Sequence, residues 1–215
     1  MCLNTKSESI KNSILRLLDD SPEHGVFFLG DFAGITSVET VRKVLAEACA
    51  KGILSRAAHG IYYKPMTSRF GEIPVPLETI AREIADRDHV RIMPTGNTAA
   101  NILGLSEQVP MSVSYLTSGS TRTVRIGSRA INFRHAAPRN FAFRGTTIPL
   151  IVQAFKEIGQ ANIDDSDLAA VASYLSHAGD GDFFESDLRI APAWVRAKVT
   201  PLVPRNNGNQ TLAAI

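Results

Sequence analysis

The chain has 215 residues, of which 44% are hydrophobic and 20% charged, and its formal net charge is +2. This composition is typical of a soluble globular protein with one large domain or two small ones, and it excludes a polycation. No apolar run is long enough for a membrane span, and the N-terminus has no signal-peptide h-region. The two cysteines, Cys2 and Cys49, form no metal pattern. We therefore expect a cytoplasmic protein with no membrane contact and no cofactor.

The charges are unevenly distributed along the chain. Residues 1–65 hold eight Lys/Arg and seven Asp/Glu, residues 66–145 hold ten and six, and residues 146–215 hold five and eight. The middle of the sequence is therefore its basic part, and the C-terminal third is acidic.

The first predicted elements are a helix, a short strand and a support helix. After a frayed start, Met1 to Thr5, the helix covers Ser7 to Leu18. Val26 to Phe28 is either an edge strand or the lead into the short support helix Leu29 to Phe32. The apolar positions of the first helix recur at helical spacing: Ile10, Ile14, Leu15, Leu17 and Leu18.

A longer helix is predicted from Thr36 to Lys51. Thr36 and Glu39 have the spacing of a capping box, and Gly52 suits a left-handed helix end. Its inward stripe is Val38, Val41, Leu45, Ala48 and Cys49. The runs Ile53 to Ala57 and Ile61 to Lys64 then predict a hairpin around His59-Gly60.

This order of elements predicts an N-terminal winged helix-turn-helix domain over residues 1–64. Hydroxyls near a helix N-terminus, followed by cations, suit a helix that enters a DNA major groove. The predicted DNA-binding residues on the helix and wing are Ser37, Thr40, Arg42, Lys43, Arg56, His59 and Tyr62. The alternative is an ordinary amphipathic helix beside a hairpin, with its charges simply solvated.

Residues 65–76 contain three prolines and predict a stiff connector between domains. Residues 77–205 predict a mixed α/β domain with a β-hairpin and terminal helices, and residues 206–215 a flexible tail. The predicted fold class is therefore α+β. The elements of the second domain are helices Pro76 to Arg87 and Thr98 to Leu103, strands Val90 to Met93 and Met111 to Thr117, a hairpin Arg122 to Ile126 with Ala130 to His135, and helices from Thr146 onward.

Several segments resemble the AbiEi-type antitoxins, a family of winged-helix transcriptional regulators. They are the turn Gly34-Ile35-Thr36-Ser37, the passage Leu45 to Leu54, the wing end His59 to Tyr63, Gly96 to Leu105 (GNTAANILGL), Tyr115 to Gly119, and Ile131 to Arg134. The resemblance covers most of residues 7–160.

The resemblance implies a transcriptional autorepressor that is also the antitoxin of a bacterial toxin–antitoxin pair. The implied partners are double-stranded promoter DNA and a cognate, nucleotidyltransferase-like toxin, with which the antitoxin need not form a stable complex. The second domain would supply dimer contacts, giving a homodimer, or the antitoxin activity.

A second basic surface is predicted because no acidic residue lies between Glu107 and Glu157. Its arginines are Arg122, Arg125, Arg129, Arg134, Arg139 and Arg144. Either they contact an anionic target, or they are solvated and pair with the acidic C-terminal third, including Asp164, Asp165 and Asp167.

We expect no catalytic or metal site. The five histidines are scattered, and no glycine-rich loop carries the Lys and Ser/Thr of a phosphate site. Asp180-Gly181-Asp182 and the Asp164 cluster are explained more simply by helix capping and turns than by a bound cation. Two rival functions remain: a stand-alone regulator without a toxin, and a protein-binding adaptor with the same fold.

Overall fold

The structure is a computed structural model that describes residues 2–69, 71–106, 108 and 110–204. Its elements form a mixed α+β fold. By their contacts they divide into two units, residues 1–88 with 124–131, and residues 89–123 with 132–215. The units are described separately below.

The first unit begins with helices and short strands that alternate along the chain. They are α1 (Cys2–Asp19), β1 (Val26–Phe28), a 3-10 turn (Leu29–Phe32), α2 (Val38–Ala50), β2 (Ser55–Ala58), β3 (Ile61–Tyr63), β4 (Met66–Ser68), β5 (Gly71–Ile73) and α3 (Leu77–Arg87). The strands β1, β3 and β2 form an antiparallel sheet in that order, with Val26 opposite Tyr63 and Ser55 opposite Tyr63. The predicted edge strand and hairpin therefore belong to one sheet.

One apolar cluster joins α1, α2 and this sheet. Ile14 and Leu18 of α1 and Val41 and Leu45 of α2 are fully buried, and Phe27 of β1 is 8% exposed. Because these side chains recur at three- and four-residue spacing, one face of each helix is buried and the opposite face is exposed.

Several local predictions for the two helices are wrong. Helix α1 begins at Cys2 rather than Ser7, and Leu17 is 48% exposed. The N-cap of α2 is Ser37, not Thr36, because the Ser37 hydroxyl reaches the first turn. Val38 is 47% exposed, and Val44 fills the inward stripe instead.

The end of α2 agrees with its prediction, but the connector does not. Gly52 has φ +72°, which is the left-handed conformation that glycine adopts without strain. Strands β4 and β5, which lie within the predicted stiff connector, pair antiparallel, with Met66 opposite Ile73. The boundary of the first unit falls after Asp88, so α3 belongs to it.

The second unit contains a sheet followed by helices. Its elements are β6 (Ile92–Pro94), α4 (Asn97–Ile102), β7 (Ser112–Thr117), β8 (Arg122–Ile126), β9 (Arg129–His135), α5 (Thr147–Ile158), α6 (Asp165–His177), α7 (Phe184–Ile190) and α8 (Ala193–Val199). The strand order is β6-β7-β9-β8, and the tip of the β8–β9 hairpin, residues 124–131, groups with the first unit. The predicted hairpin and two short closing helices are present.

The core of the second unit is centred on α5. Phe155 is fully buried, and its ring stacks on Trp194 with the centroids 6.3 Å apart. Val171 of α6 and Val195 of α8 are also fully buried in this cluster. Trp194 is therefore a core aromatic, as its spacing predicts.

Two carboxylates cap the N-terminus of α5. Asp187, which is 1% exposed, accepts the backbone N–H groups of Arg144 and Gly145 at 2.9 and 2.8 Å. Asp180 accepts those of Thr146 and Thr147 at 2.5 and 2.9 Å, and both threonine hydroxyls as well. The free N–H groups of this helix end are thus satisfied by residues more than 30 positions away.

Helix α6 is capped by Asp164, in agreement with the capping role predicted for the Asp164 cluster. Asp164 accepts the N–H of Asp167, and Asp167 accepts that of Asp164, which is a capping box. Hydrogen bonds from the Ser166 hydroxyl and the Asp167 backbone lower the pKa of Asp164.

In the part of the chain that the structure describes, no helix has the length and apolar character needed to cross a bilayer. The predicted tail, residues 206–215, lies outside the described residues.

The capping role of Asp180 predicts a pH-dependent contribution to stability. Burial alone would raise the pKa of Asp180, but the hydrogen bonds from Thr147 and Thr146 outweigh it and lower that pKa. The carboxylate therefore stabilises the fold above its unfolded-state pKa, and this contribution is lost as the pH falls through the folded-state pKa. In urea unfolding, wild type should lose about 1 kcal/mol more than Asp180→Asn between pH 7 and pH 3.

The matched control is Asp182→Asn, because Asp182 is an exposed aspartate two positions away. It should follow wild type at both pH values. An equal pH dependence for wild type and Asp180→Asn would contradict the assigned role of the cap.

Candidate nucleic-acid interface

The first turn of α2 carries the two predicted hydroxyl residues, Ser37 and Thr40. The Ser37 Oγ accepts the Thr40 backbone N–H at 3.4 Å and lies 3.0 Å from the Thr40 hydroxyl oxygen. Ser37 is exposed and Thr40 is half-buried. Both hydroxyls lie at the helix end where the partial positive charge of the backbone would favour a phosphate.

Arg42 and Lys43 lie on the exposed side of α2. Neither side chain forms an ion pair or hydrogen bond with the described residues, so both charges are directed to solvent. Glu47, further along the helix, pairs with Lys11 of α1, and this hydrogen bond lowers the pKa of Glu47. The negative charge of Glu47 on this face is therefore balanced by a lysine of the protein itself.

The β2–β3 hairpin, which the sequence predicts to be a wing, carries the next two predicted residues, Arg56 and His59. The β2–β3 turn passes through Gly60 at φ +74°, and the register shifts between Arg56 and Ala58. The Arg56 Nε donates to the Ala58 carbonyl at 3.2 Å, and its Nη2 lies 3.3 Å from His59 Nδ1. The turn thus holds both exposed side chains together.

Tyr62, in contrast, is not available at the surface. It is 7% exposed and packs in the cluster formed by α1, α2 and the sheet. The prediction that Tyr62 contacts DNA is wrong, because β3 is the central strand of its sheet and all three of its residues are buried. The alternation of residues along a strand predicts burial on one face only. It therefore does not reveal that every residue of β3 is buried.

Lys64, which the sequence places among the cations of the wing, has a structural role instead. Its Nζ donates to the carbonyl oxygens of Leu18, Asp19 and Ser21 at 3.2, 3.0 and 3.0 Å. These are the carbonyl groups at and just after the C-terminus of α1, where a cation is favourable. No local pattern in the sequence indicates this contact, because Lys64 lies 45 residues after Asp19, whose carbonyl group it binds.

Glu72 of β5 is a further polar residue that sequence reasoning missed. Its carboxylate accepts the Tyr63 hydroxyl at 2.6 Å and the Ser55 hydroxyl at 3.0 Å. Burial, followed by this carboxylate, raises the pKa of Tyr63. The contact ties the second hairpin to β2 and β3.

The arginines of the predicted second basic surface have different surroundings. Arg122 lies over Phe133 and Arg144 over Phe183, each 5.3 Å from the ring centroid. Arg129 is half-buried, and its charge acts on Tyr63. The exposed members whose side chains contact no partner among the described residues are Arg125, Arg134 and Arg139. Because Arg122 and Arg125 are an odd number of positions apart in one strand, they point to opposite faces.

The described residues contain no group of three or more His, Cys, Asp or Glu side chains arranged to hold a metal ion. Asp164, Asp167 and Asp180 are used as helix caps. Cys49 is half-buried, and burial raises the pKa of its thiol, which disfavours the reactive thiolate.

Residues 12–181 match the family described as "Family of unknown function (DUF6088)", and the chain belongs to this family. The match spans both units and ends within the turn that carries Asp180. No curated protein matches the chain.

The placement of Lys64 predicts a loss of stability when its charge is removed. Lys64→Met should lower the free energy of unfolding by about 1–3 kcal/mol, because it leaves carbonyl groups at the end of α1 without their charged donor. Chemical denaturation of the purified protein measures this.

Lys43→Met is the control, since Lys43 is exposed and should change stability by no more than about 0.5 kcal/mol. Equal stabilities of the two variants would show that the Lys64 contacts contribute nothing.

Proposed function

We propose that this protein is a DNA-binding transcriptional autorepressor whose first 64 residues act as a winged helix-turn-helix. The observation that carries the proposal is the two-sided character of α2: Val41 and Leu45 are fully buried, whereas Arg42 and Lys43 are exposed and directed to solvent. A helix that is buried on one face and carries exposed cations on the other, beside Glu39 and the Lys11-paired Glu47, suits insertion into a groove lined with phosphates.

The surrounding elements support the same proposal. A one-turn helix, Leu29–Phe32, precedes α2, and a hairpin with Arg56 and His59 at its turn follows it. In the proposed complex Ser37 and Thr40 enter the groove first, Arg42 and Lys43 contact phosphates, and the wing contacts the adjacent backbone. Each lysine or arginine at a phosphate adds to a salt-dependent, sequence-independent part of the affinity.

The antitoxin role rests on the AbiEi resemblance. We propose that the second unit supplies the antitoxin activity or dimer contacts, with a nucleotidyltransferase-like toxin as the functional partner. A homodimer would present two copies of α2 to two half-sites of the promoter. Arg125, Arg134 and Arg139 are available for further anionic contacts, which would add to the salt dependence of binding.

Removing the proposed phosphate contacts should weaken promoter binding. Lys43→Ala should lower the affinity for the upstream promoter about tenfold and make the slope of log K against log salt shallower by about one unit. Arg56→Ala should act in the same direction. Fluorescence anisotropy with a promoter fragment over a salt series gives both quantities.

Lys156→Ala is the matched control, because Lys156 is an exposed lysine of α5 outside the proposed interface. Its salt slope should equal that of wild type. Unchanged binding by the Lys43→Ala, Arg56→Ala double variant would refute the interface.

The antitoxin part has a separate test. Co-expression with the product of the adjacent gene should rescue cells from growth arrest, and Lys43→Ala should still rescue because it changes only the DNA contact. Promoter repression without rescue would favour the stand-alone regulator. Rescue without any retention on promoter DNA would favour the protein-binding adaptor.

A further inference from the structure

The second unit contains an open cavity of about 730 Å³. It lies where the end of α4, the start of α5 and one side of α6 meet, together with the turn after α6. Its volume is within the range of small-molecule binding pockets. The proposed DNA interface and the AbiEi resemblance make no use of this cavity.

The cavity wall has apolar and hydrogen-bonding parts. Ile102, which is 37% exposed, and Leu103 supply apolar surface, and Ala170 lines the α6 side. Tyr174 lines the same side, and its hydroxyl forms no hydrogen bond with the described residues. A ligand with an apolar body and a few polar groups would suit such a wall.

The only lysine, arginine or carboxylate side chain that lines the cavity in the described residues is Asp180. Its Oδ2 accepts three hydrogen bonds from Thr146 and Thr147, whereas its Oδ1 accepts one, from the Thr147 hydroxyl at 2.5 Å. Since each carboxylate oxygen has about two lone pairs, Oδ1 retains a position for a further donor. The nearby Arg144 guanidinium lies over Phe183 and does not line the cavity.

The helix ends at the cavity reinforce this negative charge. Leu103 and Gly104 follow the last turn of α4, and His177 and Ala178 are at the end of α6, so both helices present their partially negative ends. The start of α5 also reaches the cavity, but the backbone N–H groups of Thr146 and Thr147, which line it, already donate to Asp180.

His177 contributes an acceptor to the same wall. Its Nδ1 lies 2.8 Å from the Ser173 carbonyl oxygen, which can only accept, so Nδ1 carries the proton. In the uncharged imidazole with this tautomer, Nε2 is the acceptor. Carboxylate, imidazole and helix carbonyl groups all favour a donor-rich ligand and disfavour an anion.

We propose that this cavity binds a small organic cation, a primary amine with an apolar body, whose ammonium group contacts Asp180 Oδ1. The apolar body packs against Ile102 and Leu103 beside the Tyr174 ring. Nucleotides and carboxylic acids are excluded because the cavity wall supplies no lysine or arginine to meet their charge. This inference is independent of the proposed DNA-binding function.

The test compares probes of one shape and three charges on the full-length protein: phenethylamine, 2-phenylethanol and 3-phenylpropanoate. In saturation-transfer NMR and in titrations, phenethylamine should bind at least tenfold more tightly than 3-phenylpropanoate, with the alcohol between them. 3-Methylbutylamine should compete with phenethylamine, since it shares the ammonium group and has an apolar body.

Two neighbouring alanines of α6 give a matched pair of variants. Ala170→Trp places a large ring in the cavity and should abolish binding, whereas Ala169→Trp, at an exposed position that does not line it, should bind as wild type does. Circular dichroism of both variants verifies that they fold, and Tyr174→Ala provides a milder second variant that should weaken binding because it removes the ring beside which the apolar body packs.

Binding of the amine that is lost only in Ala170→Trp supports the proposal. The absence of amine binding, equal or stronger binding of the carboxylate, or amine binding that survives in folded Ala170→Trp would each overturn it. If Ala170→Trp fails to fold, unchanged amine binding by Tyr174→Ala would overturn it.

Discussion

The inward face of α2 depends on its packing against α1 and the three-stranded sheet. Ile14, Leu18, Val41 and Leu45 are fully excluded from solvent, and truncating one such side chain typically costs about 2–5 kcal/mol. Because this packing fixes the rotation of α2 about its axis, it also determines which residues are exposed. Arg42 and Lys43 face solvent for the same reason that Val41 and Leu45 do not, so the proposed interface is a direct consequence of the core.

Two lysines stabilise the helices of the first unit through contacts within the protein. Lys64 binds the carbonyl groups where α1 ends, and Lys11 pairs with Glu47 on α2. The second unit uses the opposite charge at the opposite helix end, since Asp180 and Asp187 bind the N–H groups where α5 begins. Lys64, Asp180 and Asp187 each meet the helix end that the sign of their charge favours. The capping leaves Asp180 Oδ1 with a free accepting position at a cavity, which joins the stability of α5 to the chemistry proposed there.

The proposed functions of the two units have different support. For the first unit, the burial pattern and the exposed cations favour duplex DNA, while membership of a family of unknown function adds no activity. For the second unit, the antitoxin proposal is supported only by the resemblance, whereas the amine-binding proposal is supported by the geometry of the cavity. A regulator whose second unit binds a small amine is compatible with either an antitoxin or a stand-alone repressor. The two proposals can therefore fail separately.

The sequence by itself determined the features that depend on neighbouring residues: the helical stripes, the left-handed end of α2 at Gly52, the hairpin turn at Gly60, and the start of α3 after Pro76. Only the tertiary structure decided that Tyr62 is buried in a central strand, that Val44 replaces Val38 in the core, and that Lys64 and Asp187 serve helix ends. The physical reason is the range of the contacts. Spacing and turn chemistry act over about four residues, whereas Lys64 reaches a carbonyl 46 residues away and Asp187 a backbone N–H 43 residues away.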